Sequence, residues 1–365
     1  MNQPQNSKTY FHALDGLRGI AAVAVALFHW LLSFAGFLAV DFFLVLSGFI
    51  LAHRYLYSER EVSTGRFVLS RIARLYPMHL FGLLSYAVVY TLLAGSIPRY
   101  PDGTLFTFVQ QLTMTHNIGL NPHGQTWNVQ SWSISVEFWL NLVFFCWVRR
   151  STSSLSLLIM SIAGLVIIHG MTGSIDTTYQ NYFQVINSGL LRGWSSFVLG
   201  VLAYRGWLWA RNQDWQPRAI TLAELIAILC VLALFFGRGE SMQSMQIFAP
   251  WVFAAVVTLF ALEQGLPARL IARCQWLGTI SYSIYLNHLV VLMLVDTGLK
   301  GLGLSHAALT PIYLGGLLVY SMATYRWIEL PGKTWLLHLA SPGRTDRQEK
   351  TAEEESSTRT DRHSG

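Results

Sequence analysis

Charged residues are scarce in this chain. Asp, Glu, Lys and Arg together make up 12% of its 365 positions, about half of the roughly 25% usual in soluble proteins. The residues AVILMFWYC supply 53%, and a soluble globule of this length could not cover its surface with so few charges. Cysteine is nearly absent. Cys146, Cys230 and Cys274 are odd in number and share no metal-ligand spacing, which argues against a disulfide framework and a zinc site. Two of them lie in apolar runs and read as packing residues. Proline is missing from the middle of the apolar stretches: Pro77, Pro250 and Pro311 fall in expected first turns, where a missing N–H costs little, and Pro331 follows the last stretch. The basic excess, net +6, is scattered through short polar gaps and forms no stripe, so nucleic acid is not an expected partner. No repeat of roughly 20–50 residues is present.

What the chain does have is long apolar runs. A membrane span needs roughly 20 mostly apolar residues, and candidates occur near 12–32, 37–56, 77–95, 132–148, 154–171, 186–204, 219–237, 247–264, 277–295 and 310–329. The first has only Lys8 before it, is interrupted by Asp15 and Arg18, and runs almost directly into the second. It therefore reads as a span and not as a cleaved signal. With the N-terminus inside, 21 of the 25 Lys and Arg lie on the inner side, against Arg99, Arg192, Arg238 and Lys300 outside. That asymmetry places both termini in the cytoplasm. The expected fold is an all-α polytopic membrane bundle of about ten transmembrane helices. A short cytoplasmic segment, 1–10, would precede the membrane domain, 11–338, and a disordered cytoplasmic tail, 339–365, would follow it. The outer connection, about 96–131, carries Leu105, Phe106, Phe108, Val109 and Leu112 and is expected to lie as an amphipathic helix on the membrane surface.

Ionisable side chains inside spans cost about 2.5–3.5 kcal/mol on insertion scales, so each asks for a reason. Arg18 and His29 share the first span eleven residues apart. Eleven steps of about 100° bring both to one face, separated by ~16 Å along the axis. A snorkelling Arg and a satisfied core His are the plain alternative. Asp41, Glu137, Arg192 and His288 fall on four other spans at similar depth toward the outer side. Convergence of these four with His29 on a polar cavity is the expectation, with an Asp41–Arg192 ion pair as one structural alternative. On the inner side Arg71 and Arg74 stand one helical turn apart, aimed at one face, a geometry able to hold phosphates as well as to set topology.

These residues sit in recognisable company. Leu14-Asp15-Gly16-Leu17-Arg18-Gly19, ending in Phe28-His29, resembles the opening of the acyltransferase-3 family of integral membrane acyltransferases, whose hallmark is an Arg and a His separated by ten residues. Val40-Asp41-Phe42-Phe43-Leu44 is similar to its second helix, Arg71-Ile72-Ala73-Arg74-Leu75-Tyr76-Pro77 to its arginine motif, and Trp132-Ser133-Ile134-Ser135-Val136-Glu137 to its tryptophan–serine–glutamate segment. Ile280-Ser281-Tyr282-Ser283-Ile284-Tyr285-Leu286-Asn287-His288 resembles its late tyrosine–histidine helix. The matches keep family order from about Tyr10 to Trp335.

The resemblance implies a membrane O-acyltransferase, in a bacterial cytoplasmic (inner) membrane, that moves an acyl group, commonly acetyl, from acyl-CoA to a hydroxyl of a carbohydrate or glycolipid. Acetyl-CoA is then a donor substrate, and no permanently bound cofactor is expected. Some family members add an extracytoplasmic hydrolase-like domain. None is expected after the short polar tail, which leaves room for a partner protein in acceptor delivery. Within that frame His29 is the expected general base, oriented by Glu137, and Arg71, Arg74 and Arg18 are expected to hold the donor's phosphates or pantetheine arm. Asp41, Ser133, His288 and Arg192 are expected in the cavity wall. Direct transfer and an acyl-enzyme both remain open, and no residue names the acceptor sugar. The rival class is a transporter or flippase of an acyl or glycolipid cargo, which would also need a polar cavity. Such proteins often show Gly/Pro-broken helices in related halves.

Overall fold

The computed structural model describes residues 9–339 apart from 59–60, 122–124, 183–185, 300 and 302. The tail from 340 onward, expected to be disordered, lies outside the described residues. Among the described residues eight helical segments are long and apolar enough to cross a membrane: His12–Leu31, Gly36–Tyr55, Thr64–Ala94, Val129–Val148, Ser154–Thr172, Pro217–Phe236, Glu240–Phe260 and His306–Leu339. They coincide with eight of the ten expected spans. The other two are helical as well. Ser188–Ala210 has 23 residues and carries Arg192 and Arg205. Ser281–Asp296 has 16 and is preceded by the short helix Gln275–Thr279. The chain is a polytopic helical membrane protein.

We label the principal helices α1 (His12–Leu31), α2 (Ala39–Tyr55), α3 (Thr64–Ala94), α4 (Thr104–Leu112), α5 (Trp132–Val143), α6 (Ser154–Thr172), α7 (Ser188–Ala210), α8 (Pro217–Phe236), α9 (Ala249–Phe260), α10 (Ser281–Asp296), α11 (His306–Thr324) and α12 (Leu330–Leu339). The proline expectations need correction at three places. Helix α3 begins at Thr64, thirteen residues before Pro77, because the Ser63 hydroxyl caps it by accepting from the Arg66 N–H. Pro77 is therefore interior, and apolarity alone marked only the membrane-buried part of the helix. Pro311 is likewise inside α11. Pro331 does not follow the last span; it lies within a continuous helical run, just after a π-turn at Tyr325–Glu329. That turn shifts the ladder off its regular i−4 pairing where proline has no N–H to give. The cysteines differ too: Cys146 and Cys230 are exposed and do not pack in the core.

Without water in the hydrocarbon core, helix association relies on close packing, and small residues permit it. Helices α2 and α7 touch backbone to backbone. A Cβ at Gly200 would stand 1.9 Å from the Val45 carbonyl oxygen, and one at Gly48 would stand 2.1 Å from that of Phe197. Gly200→Val is expected to push α7 off α2 and lower stability by about 1–3 kcal/mol. The midpoint of thermal unfolding in detergent, compared with the exposed Gly315→Ala, checks this.

The described part of the connection at 96–131, expected on the outer side, folds as a polar cap. Helix α4 turns Leu105, Phe106 and Val109 outward, while Thr107, Gln110 and Gln111 are buried. The Gln111 side-chain amide donates to the Thr126 carbonyl at 2.7 Å, and that of Gln110 donates to the Leu120 carbonyl at 2.7 Å. An amphipathic helix was expected here, and its apolar face is the exposed one. Beneath it His116 lies parallel to His79, ring centroids 5.8 Å apart, with Nε2 3.1 Å from the Ser131 carbonyl. Burial, and then the neighbouring His79, push the His116 pKa down to about 3. Below the ordinary histidine pKa of about 6.5 the unfolded state binds a proton that the folded state refuses, so stability falls as pH drops. Between about pH 6.5 and 3 the loss approaches ~1.4 kcal/mol per unit. His116→Asn should flatten that acid sensitivity, read as unfolding midpoint against pH.

Candidate active site

Helix α1 organises the site. Arg18 and His29 lie toward its two ends on one face, ~16 Å apart along the axis. Its Arg18 end packs against the segment 271–278 at very short range: a Cβ at Gly16 would stand 2.2 Å from the Ile271 carbonyl oxygen.

At the His29 end, two imidazoles meet. His29 Nδ1 lies 3.0 Å from the Val25 carbonyl oxygen and 3.2 Å from His288 Nε2. His288 is fully buried. Beside it the Tyr285 hydroxyl donates to the Gln130 carbonyl at 2.8 Å and pairs with the Ser133 hydroxyl at 2.8 Å. Ser133 is thus linked to His288 through Tyr285, whose ring lies 5.9 Å from the His288 ring.

The Asp41–Arg192 pair is separate. Arg192 Nη2 donates to Asp41 Oδ2 at 2.6 Å and Nε to Oδ1 at 3.1 Å. Nη2 also donates to the Phe37 carbonyl, and the Ser196 hydroxyl donates to Asp41 Oδ1 at 2.9 Å. Phe37 and Trp132 lie against the guanidinium. Exposure is 1% for Arg192 and 0% for Asp41. Each charge is enclosed by its partner, which makes this a structural bolt between α2 and α7.

The convergence of all five ionisable residues on one outer cavity is therefore corrected. They sort into three contacts. Glu137, on the helix Trp132–Val143, belongs to the third. Glu137 Oε1 accepts from the Ser47 hydroxyl at 2.9 Å, and its electrostatic neighbours include Arg18, Arg71 and Tyr282. The hydrogen bonds of His29 run to Val25 and His288 instead. Tyr285, beside His288, is a further electrostatic neighbour of Glu137.

The Arg18 end of α1 gathers more charge than the three arginines named from sequence. Arg18 Nη1 pairs with Asp15 Oδ1 at 2.9 Å and neighbours Arg74 electrostatically. Arg71 neighbours Arg74 and Arg54 and rests against the Phe67 ring. Lys333 neighbours Arg74, Glu329, Arg71 and Arg54. Glu329 Oε2 accepts from the Ser283 hydroxyl at 2.7 Å. Arg74 and Lys333 are exposed, and Arg18, Arg71, Glu137 and Glu329 are partly exposed, so the cluster is open to a ligand. Five basic groups outnumber the three acids Asp15, Glu137 and Glu329, which suits a polyanion. Sequence reading missed Ser47, Tyr282, Tyr285, Glu329 and Lys333. The Glu329/Lys333 spacing of i,i+4 was a usable signal, hidden by ending the last span at 329, before Pro331.

A family model described as an acyltransferase domain matches residues 11–326. The chain is 31% identical over 183 residues to protein 2 in the picA locus of Rhizobium radiobacter, covering 45% of this chain and 95% of that protein. It is 24% identical over 328 residues to the peptidoglycan O-acetyltransferase OatA of Listeria monocytogenes, covering 80% of this chain and 51% of that one. To the putative membrane-bound transacylase BcsY of Komagataeibacter xylinus it is 26% identical over 341 residues, covering 87% and 82%. The chain thus spans about half the length of the Listeria relative and nearly all of the Rhizobium one. No solved structure matches it significantly.

Breaking the bolt leaves a buried charge without its partner. Asp41→Ala is expected to lower stability by about 3–5 kcal/mol, and Asp41→Ala/Arg192→Leu to recover part of it. Unfolding midpoints of the single and double variants check the coupling.

Proposed function

The chain belongs to the acyltransferase family whose model spans residues 11–326, and from that premise we propose a membrane O-acyltransferase that moves an acyl group from acyl-CoA to a carbohydrate hydroxyl. Acetyl is the proposed acyl group. The proposed acceptor is a surface glycan such as exopolysaccharide or lipopolysaccharide, and the proposed location is a bacterial cytoplasmic membrane, with the Arg18 end inward. One observation carries the reading: a polybasic cluster open to ligand and a histidine pair occupy the two ends of one face of α1.

Arg18, Arg71 and Arg74, joined by Arg54 and Lys333, bind the phosphates of CoA. Glu137, through Ser47, and Glu329, through Ser283, hold carboxylates among the cations, spacing them against mutual repulsion. The pantetheine arm then follows the α1 face toward His29. There the acceptor hydroxyl attacks the thioester carbonyl. A C–O bond forms, the C–S bond breaks, the proton passes to His29, and His29 returns it to the departing CoA sulfur. Ser133 and Tyr285 line the wall beside that centre, and Asp41 and Arg192 keep α2 and α7 in register behind it.

In the purified enzyme, His29→Gln is expected to abolish transfer from acetyl-CoA while expression and unfolding midpoint stay near normal. Glutamine keeps a hydrogen bond but takes up no proton at neutral pH. Normal turnover in that variant would refute the general-base role. Arg71→Ala and Arg74→Ala should each weaken donor affinity by roughly 1.5–3 kcal/mol, measured as acyl-CoA binding. Unchanged affinity in both would leave these arginines with topology alone.

A further inference from the structure

Two backbone carbonyls decide where the hydrogens of the histidine pair sit. His288 Nδ1 lies 2.7 Å from the Tyr285 carbonyl oxygen. A carbonyl oxygen only accepts, so this Nδ1 bears a hydrogen and donates it. His29 Nδ1 lies 3.0 Å from the Val25 carbonyl oxygen, so it too bears a hydrogen. The 3.2 Å contact between His29 Nδ1 and His288 Nε2 then has its donor on His29. A hydrogen on His288 Nε2 would set two N–H groups against each other. His288 therefore offers a bare lone pair at Nε2, and His29 Nδ1–H is shared between that lone pair and Val25. In the neutral His29 ring the remaining nitrogen, Nε2, holds the lone pair for chemistry. The rings are tilted by 43° with centroids 4.8 Å apart, an edge contact directed by these nitrogens and not a stack.

The surroundings keep this register. The Tyr313 hydroxyl reaches both the Ala26 carbonyl, at 3.2 Å, and the His288 carbonyl, at 3.4 Å. Its ring stacks on Trp30, centroids 4.6 Å apart. Tyr313 thereby ties α1 to α10 within one turn of each histidine.

We propose that His288 is the positioning residue of His29. It fixes the Nδ1–H tautomer, directs His29 Nε2 at the acceptor hydroxyl, and accepts the hydrogen bond of the imidazolium that forms when the hydroxyl proton arrives. No proton need pass to His288. The proposal rests on His29 being the general base and supplies the orienting partner that Glu137 does not. A neutral imidazole in that office, where a carboxylate is more familiar, leaves the imidazolium balanced by the oxyanion forming on the former carbonyl oxygen, a charge pair that appears on attack and is lost when the C–S bond breaks and the sulfur takes the proton.

The test combines turnover with nitrogen NMR of 15N-histidine-labelled protein in lipid bilayers, His29→Ala identifying the His29 signals. His288→Phe keeps a ring without a lone pair, and His288→Gln restores an acceptor oxygen. His288→Phe is expected to lower kcat on the order of 10²-fold or more, with KM for acyl-CoA unchanged. The His29 signals should then show a mixture of tautomers in place of one. His288→Gln should return kcat to within about tenfold of wild type and restore the single tautomer. Wild-type kcat in His288→Phe would overturn the proposal. So would equal losses in both variants with the His29 signals unmoved, which is what simple packing produces. Full turnover in His29→Ala would instead overturn the general-base reading, and the tautomer signals would still report separately whether His288 orders the ring.

Discussion

Hydrocarbon offers a polar group nothing to bond with, and the buried Asp41–Arg192 pair shows how far this protein's architecture answers to that constraint. The guanidinium and carboxylate meet through several hydrogen bonds, Ser196 and the Phe37 carbonyl add further partners, and aromatic rings close the sides. Such a pair requires α2 and α7 to lie close together, and Gly48 and Gly200 permit this by removing the side chains that would hold the backbones apart. The glycines and the ion pair are one device, about two helical turns apart on α7. With α2 and α7 locked, the Ser47 hydroxyl on α2 is placed for Glu137 on α5.

Separation of charge from proton chemistry follows from α1. Its Arg18 end opens among Arg54, Arg71, Arg74 and Lys333, groups that repel one another and are kept together by Asp15, Glu137 and Glu329. Its His29 end packs against α10 and α11, where the hydrogen bonds are to backbone carbonyls, tyrosine hydroxyls and a second imidazole, with Asp176 as an electrostatic neighbour. A nucleophile activated there does not compete with the cations for its lone pair. The two regions ask for different environments, polyvalent at one end and sparsely charged at the other, where His29 is half-buried. A helix of 20 residues holds them at a set distance.

The membrane-helical class was legible in the sequence, because scarce charge and runs of apolar residues near 20 in length admit no other packing in quantity. Eight of ten expected spans match helices long and apolar enough to cross, and the other two are helices whose buried arginine or shortness hides them from a hydropathy measure. The shared face of Arg18 and His29 was also legible, since it depends only on helical period. Helix ends at prolines were not, because a serine cap and a π-turn, both local geometry, decided them.

Partner choice between helices belonged to tertiary structure. Depth estimates put Glu137 beside His29, yet helix packing gave Glu137 the Ser47 hydroxyl and arginine neighbours, and gave His29 to His288. The sequence by itself determined which residues carry charge, how far apart they stand along one helix, and that lipid would drive them inward. Only the tertiary structure decided which of them meet, because contact between helices depends on their rotation and axial offset. Those are set by close backbone approach at small residues, and one-dimensional periodicity carries no record of them.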